Sequence, residues 1–247
     1  MTRGLFLSFE GGDGSGKSTQ ARLLESWLRE RGIETVLARE PGGTAAGERI
    51  RQILMGSRVT ADFDDRNGAD ANVYQIMHPS ATSASASTSR STVSEAGLQL
   101  APEAEALLFN AARAELVREI VKPKLKAGAT VILDRYFDST LAYQGYGRHG
   151  NLKELRSICS FATGHLIPHR TFLLDLPVDV ALKRRGNGST DRFEVRARAF
   201  HERVRDGYLR LAVAEPGRFV VISADQDEQL IAADIRREVD ALLGAPA

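Results

Sequence analysis

The sequence has 247 residues, with 33 Lys and Arg against 32 Asp and Glu, a net charge of +1. That balance creates no global field to draw the chain onto nucleic acid or an anionic membrane, so any anion binding must be local. The single cysteine, Cys159, permits no internal disulfide, and no apolar run approaches the roughly 20 residues that span a bilayer.

Residues 5–9 are apolar and aromatic and read as a buried strand. Glu10 closes that run at once, which is not a secretory pattern; with the lone cysteine it predicts a cytoplasmic protein. Next comes Gly11-Gly12-Asp13-Gly14-Ser15-Gly16-Lys17-Ser18, which fits G-x-x-x-x-G-K-[ST]. An amphipathic helix is expected over 18–31, with Ala21, Leu24, Trp27 and Leu28 on one face. Strand, glycine loop and helix N-terminus together make a phosphate-binding loop. Glycines bring main-chain N–H groups close to oxygens, and the helix dipole adds positive potential. Gly11, Gly12, Asp13, Gly14, Ser15, Gly16, Lys17, Ser18 and Thr19 are therefore the candidate ATP-binding set. Lys17 can bridge the β- and γ-phosphates, and the Ser18 hydroxyl can ligate Mg²⁺. The motif says nucleotide; it does not say which reaction.

Gly32 is placed to end the first helix. A strand over 35–39 runs out into Arg39-Glu40-Pro41-Gly42-Gly43-Thr44, and a short helix is expected over 46–55. Ligands of open α/β sheets sit at such strand ends. The composition then changes. The Ser/Ala/Thr-rich stretch 57–98 cannot bury enough apolar surface to offset its ordering entropy, and is expected to be a disordered insertion in one 1–247 domain. Residues 103–126 predict a long amphipathic helix, with Leu107, Leu108, Ala111, Leu116, Ile120 and Val121 inward and Pro123 ending or bending the last turn. Strands are expected over 130–134, 171–176 and 218–223, and helices over 151–162, 178–185, 193–214 and 227–243. The alternation predicts an α/β fold with five mostly parallel strands flanked by helices.

Several residues outside the loop suggest chemistry. Asp134 ends a strand and, beside a phosphate loop, faces the Mg²⁺ shell; its bland alternative is a turn cap. Arg135 follows as a candidate phosphate clamp. Lys183-Arg184-Arg185, the loop 186–190 and Asp191-Arg192 put positive charge on a candidate lid; by charge alone they equally suit a solvated helix end. Phe109 and Arg113 share a helix face, yet taken alone they read as one core ring and one surface charge. Tyr143 and Gln144 are no stronger alone, and the five histidines show no metal-ligand spacing.

In order, these segments resemble the bacterial type of the thymidylate kinase family. The resemblance rests on Phe9-Glu10-Gly11 through Thr19, Arg39-Glu40-Pro41-Gly42-Gly43-Thr44, Leu107-Leu108-Phe109-Asn110-Ala111-Ala112-Arg113, Asp134-Arg135-Tyr136 through Tyr143-Gln144-Gly145, and Asp191-Arg192-Phe193-Glu194. It covers about 3–56 and 101–243. It implies a P-loop nucleoside monophosphate kinase fold, ATP as donor with Mg²⁺, dTMP as acceptor, and a homodimer, with no nucleic-acid or membrane partner. It further implies that Phe109 stacks on thymine and Arg113 binds its edge. Gln144 would line the base pocket, and Arg135 would clamp the dTMP phosphate with Arg39 beside it. Asp13 would meet the deoxyribose 3′-hydroxyl and Tyr143 the 2′ position. Ser18 and Asp134 would face the metal, and Lys17 and Asp13 would serve the transfer. Gly14 stands where other members carry an arginine, so the catalytic arginine is expected in the lid, from Arg184, Arg185 or Arg192, with Arg185 favoured. Two rivals stay open: a kinase of another deoxynucleotide or deoxynucleoside, and a nucleotide-responsive binding module.

Overall fold

A computed structural model describes residues 4–55, 100–184 and 192–244. The insertion expected at 57–98, the lid loop 186–190 and Arg185 lie outside the described residues. Five strands form one sheet: β1 (Phe6–Glu10), β2 (Thr35–Arg39), β3 (Thr130–Asp134), β4 (Arg170–Asp175) and β5 (Phe219–Ser223). Their order is β2-β3-β1-β4-β5, and every pairing is parallel. All five residues of β1 are buried, as a central parallel strand covered on both faces must be. The register sets Phe9 and Arg39 beside Asp134, so three strand ends share one edge of the sheet.

Helix α1 (Lys17–Glu30) and the closing helix α9 (Glu228–Gly244) cover one face. Between them and the sheet lie Leu7, Phe9, Leu24, Leu28, Ile132, Phe172 and Ile235. The alternate strand residues Phe6, Val131 and Leu133 point the other way and meet Leu116, Val117, Val121 and Tyr136. That period of two, read on both faces, is why each strand looks continuously apolar. Gly32 closes α1 at φ 73°, with its N–H on the Arg29 carbonyl at 2.9 Å, the left-handed turn expected of it. Helix α2 (Ala45–Leu54) is capped by Thr44, whose side chain accepts from Gly47 N at 3.0 Å.

The helix expected over 103–126 is helical throughout, from Pro102 to Lys126, but its middle is wider than an α-helix: α3 (Pro102–Leu116) passes through a π-helical turn (Val117–Val121) into α4 (Lys122–Lys126). Pro123 lacks an N–H and would clash with the carbonyl four residues back; the wider turn just before it accommodates that break. The expected inward face is corrected in part: Leu116 and Val121 are buried as expected, but Leu107 is 54 % exposed and Ala111 is exposed, while Ala106, Asn110 and Arg113 are buried instead. A second helical stretch was not expected from periodicity: α5 (Phe137–Thr140) runs into a π-helical segment, Leu141–Gly147. Helix α6 (Leu152–Thr163), capped by the Asn151 side chain, and α8 (Arg192–Ala214) complete this layer, while α7 (Val178–Arg184) packs Val180 and Ala181 against the core on the α1 side. Gly147 and Gly207 let the π segment and α8 approach closely; a Cβ on Gly147 would lie 2.7 Å from the Phe200 ring. No helix among the described residues is long and apolar enough to cross a membrane.

Candidate active site

The loop after β1 turns on glycines in conformations that other residues rarely adopt. Gly11, Gly14 and Gly16 have φ of 137°, 81° and 88°. A Cβ on Gly11 would also lie 2.5 Å from the Leu174 carbonyl oxygen. Lys17, the first residue of α1, is folded back under the loop; its Nζ donates to the Gly12 carbonyl at 2.7 Å and lies 3.4 Å from Ser15 Oγ. Burial first, and then the Arg135 charge, pull the Lys17 pKa down from 10.5 to about 7; Asp134 and Asp13 oppose the shift. An ammonium so placed gains strongly from an arriving polyphosphate. Ser18 Oγ donates to Asp134 Oδ2 across the mouth of the loop, so the two expected metal residues are in contact.

Arg135 occupies the centre. Its backbone has φ 74°, one of three non-glycine residues described with positive φ. That turn aims the guanidinium back over the loop. Nη2 meets Asp13 Oδ1 at 2.5 Å and Tyr143 OH at 3.2 Å; Nη1 reaches Ser139 Oγ at 3.1 Å and Gly11 O at 3.3 Å. The guanidinium also lies over the Tyr143 ring, 5.0 Å from its centroid. Burial works against the charge, but Tyr143, Tyr208 and Asp13 outweigh it and hold the pKa above the ordinary arginine value. Tyr143 OH donates to Asp13 Oδ1 at 3.1 Å, and burial pushes its own pKa up to about 12.

Behind Arg135 sits Glu10, fully buried at the end of β1. It accepts from Tyr136 N at 2.7 Å, Ser139 Oγ at 2.6 Å and Tyr208 OH at 2.9 Å. Burial, and then Asp138, raise its pKa to about 7. Three donors on one carboxylate fix the turn that carries Arg135.

Arg113 differs from both bare expectations. It is no surface charge: its side chain is 1 % exposed. It stands one layer behind the cleft wall, with Nε on Glu40 Oε2 at 2.8 Å, Nη1 on Asn110 Oδ1 at 2.7 Å and Nη2 on Thr140 Oγ1 at 3.1 Å. Burial raises the Glu40 pKa and Arg113 opposes the rise. Phe109 is half-buried and does reach the cleft.

One cleft of about 520 Å³ brings most of these groups together. Its walls include Asp13, Gly14, Lys17, Ser18, Arg39, Phe109, Asp134, Arg135, Tyr143 and Gln144. That volume lies within the roughly 300–1,000 Å³ usual for ligand sites. Arg39 is 59 % exposed at the rim, 3.7 Å from Glu48. Arg113 is absent from the walls. Arg184 points elsewhere, donating to the Ala224 carbonyl at 3.1 Å. Arg192 begins α8, whose first side chains lie outside the described ones, as Arg185 does entirely. Arg51, Glu105 and Ser139 also line the cleft and were not picked out from sequence. Arg51 holds the Pro41 carbonyl at 3.0 Å. Its only sequence signal is a position on the helix following Arg39-Glu40-Pro41.

The phosphate loop and the wall that carries Phe109 and Tyr143 share this one cleft, with Arg135 and Asp13 in contact between them. Comparison with known proteins names the family. The model for thymidylate kinase matches residues 9–67 and 67–235. The chain belongs to the thymidylate kinase family. The thymidylate kinase of Dehalococcoides mccartyi strain 195 is 39 % identical over 242 residues, covering 98 % of this chain and 99 % of that one. The thymidylate kinase of Clavibacter sepedonicus is 40 % identical over 246 residues, covering 99 % and 98 %. A crystal structure of thymidylate kinase from Ehrlichia chaffeensis superposes with a TM-score of 0.65 at 28 % identity, over 96 % of this chain and 98 % of that one. The five-stranded parallel sheet with its helices is thus a thymidylate kinase fold, as the residues of the loop and strand ends led us to expect.

Proposed function

We propose that this chain transfers the γ-phosphoryl group of ATP to the phosphate of dTMP, giving ADP and dTDP. One observation carries the reading. Arg135 touches the phosphate loop through Asp13 and the cleft wall through Tyr143, so one guanidinium would serve both donor and acceptor. A kinase joining two nucleotides end to end needs that adjacency; a nucleotide switch does not.

The acceptor phosphate is already an anionic nucleophile, so no covalent enzyme intermediate is required. The protein positions two anions and neutralises their repulsion. Main-chain amides of residues 11–18 and Lys17 would take the ATP phosphates. Arg135, with Arg39 at the rim, would take the dTMP phosphate. Asp13 lies between the two sets and within reach of Tyr143, which suits a deoxyribose 3′-hydroxyl bound there. Phe109, on the cleft wall, would stack on the base. The adjoining oxygens of Ser18 and Asp134 suit a hard cation that takes its remaining ligands from phosphate and water. Mg²⁺ bound there would supply charge neutralisation on the ATP phosphates. Arg185, with Arg192 after it, would bring the lid charge, and one such arginine is worth on the order of 10³ or more in rate.

The test is ADP release coupled to oxidation of a reporter, with dTMP, dUMP, dCMP, dGMP and thymidine as acceptors. dTMP as the preferred acceptor supports the reading; preference for thymidine or for dGMP overturns it. The expected homodimer and cytoplasmic location belong to the same reading, and sedimentation of the purified protein tests the first.

A further inference from the structure

Glu105 and Gln144 meet from elements far apart in sequence. Gln144 Nε2 donates to Glu105 Oε1 at 2.7 Å. Arg148 Nη2 stands 2.8 Å from Glu105 Oε2. Glu105 lies on α3 one turn before Phe109, and Gln144 lies on the π segment opposite; both line the cleft. A carboxylate can only accept hydrogen bonds, whereas an amide presents an acceptor on one side and donors on the other. The amide alone leaves its orientation open; the carboxylate decides it. Nε2 must face Glu105, so Oε1 is turned the other way. Among the described residues no group donates to Gln144 Oε1. Gln144 itself lines the cleft, so Oε1 is the amide atom left for a ligand there.

We propose that Glu105 is a positioning residue that sets base specificity by fixing the amide of Gln144. So held, the cleft presents an acceptor to the base. Thymine carries a hydrogen on ring N3 and satisfies it. Cytosine carries a lone pair on N3, which would face the Gln144 oxygen and leave both unpaired. A site with an obligatory hydrogen-bond sense rejects the mismatched partner far better than one distinguished by shape alone. Arg148 occupies the second oxygen of Glu105, so the carboxylate cannot swing away without losing a charge-assisted contact. The inference rests on reading the cleft as the dTMP site.

The test compares kcat and KM for dTMP and dCMP in the wild type, Glu105→Gln, Glu105→Ala, Gln144→Ala and the Glu105→Gln/Gln144→Ala double variant. A glutamine at 105 can donate as well as accept, so it no longer dictates which way the Gln144 amide faces. The preference for dTMP over dCMP, taken as the ratio of kcat/KM values, is expected to fall roughly tenfold or more. The change should sit mainly in KM. Glu105→Ala should move the ratio the same way, and Glu105→Gln should add nothing once Gln144 is alanine. Equal losses for both nucleotides with the ratio unchanged, or an effect of Glu105→Gln that persists in the Gln144→Ala background, overturn the proposal. A wild type that binds neither nucleotide overturns instead the functional reading beneath it. The two failures differ, because the first requires a wild type that prefers dTMP.

Discussion

Lys17 and Arg135 are two cations crowded under one phosphate loop, and their electrostatics give a prediction at the residue scale. Lys17 is held near pKa 7, well below the 10.5 of a free lysine. Between those values the unfolded chain binds a proton that the folded chain lacks, so this group makes stability rise with pH across the window. A bound polyphosphate restores the charge. ATP binding at pH 8–9 should therefore take up close to one proton. Calorimetry in buffers of different ionisation enthalpy measures this, and Lys17→Met should abolish the uptake. Uptake unchanged in that variant would place the proton elsewhere.

Arg113 and Glu40 make a second prediction at this scale. Removing one partner of a buried pair strands the other, at a cost of about 3–5 kcal/mol. Arg113→Met should lose about that much by urea midpoint. Glu40→Gln/Arg113→Met should lose clearly less than the sum of the single variants; additive losses would show that the pair is not coupled. Neither residue advertised this from sequence. Charge alone carries no signal for burial, and Glu40 lies 73 positions from its partner.

At the scale of elements, the strands were legible and the irregular helices were not. A parallel strand covered on both faces is a short, unbroken apolar run, and β1 to β5 lie within about one residue of their expected bounds. Asn151 and Gly32 punctuate helices in ways any reading of caps would find. The π-helical stretches Val117–Val121 and Leu141–Gly147 left no such mark, because they use the same residue types as an α-helix. Pro123 signals a break after the first of them but not its π geometry, and the second packs closely against α8. That packing can be tested. A Cβ at Gly147 would lie 2.7 Å from Phe200 Cε2 and 2.8 Å from Val204 Cγ2, with little room to shift. Gly147→Ala should cost about 1–3 kcal/mol and loosen the segment bearing Tyr143 and Gln144, raising KM for dTMP. Gly217→Ala, where an added Cβ meets nothing within 4 Å, should be close to neutral. Equal effects of the two would argue against close packing of α8 on the π segment.

At the scale of the whole molecule, the strand order could not be read from the chain, yet it is what assembles the site. Placing β3 between β2 and β1 brings Arg39, Asp134 and the phosphate loop to one edge. The loop motif was visible in sequence, as were Asp134, Arg135 and Tyr143. Glu105, Arg51 and the buried Glu10 that steadies Arg135 were not, since their roles arise only from contacts between distant segments. The central claim is that one guanidinium joins a donor pocket to an acceptor pocket. Steady-state ADP release, measured with ATP and Mg²⁺ as dTMP is raised, tests it most directly when wild type and Arg135→Met are compared at matched folding. The account predicts saturable, dTMP-dependent release that yields dTDP in the wild type, and loss of both turnover and dTMP saturation in the variant. Release that ignores dTMP in the wild type, or an Arg135→Met enzyme that saturates with dTMP as before, would contradict it.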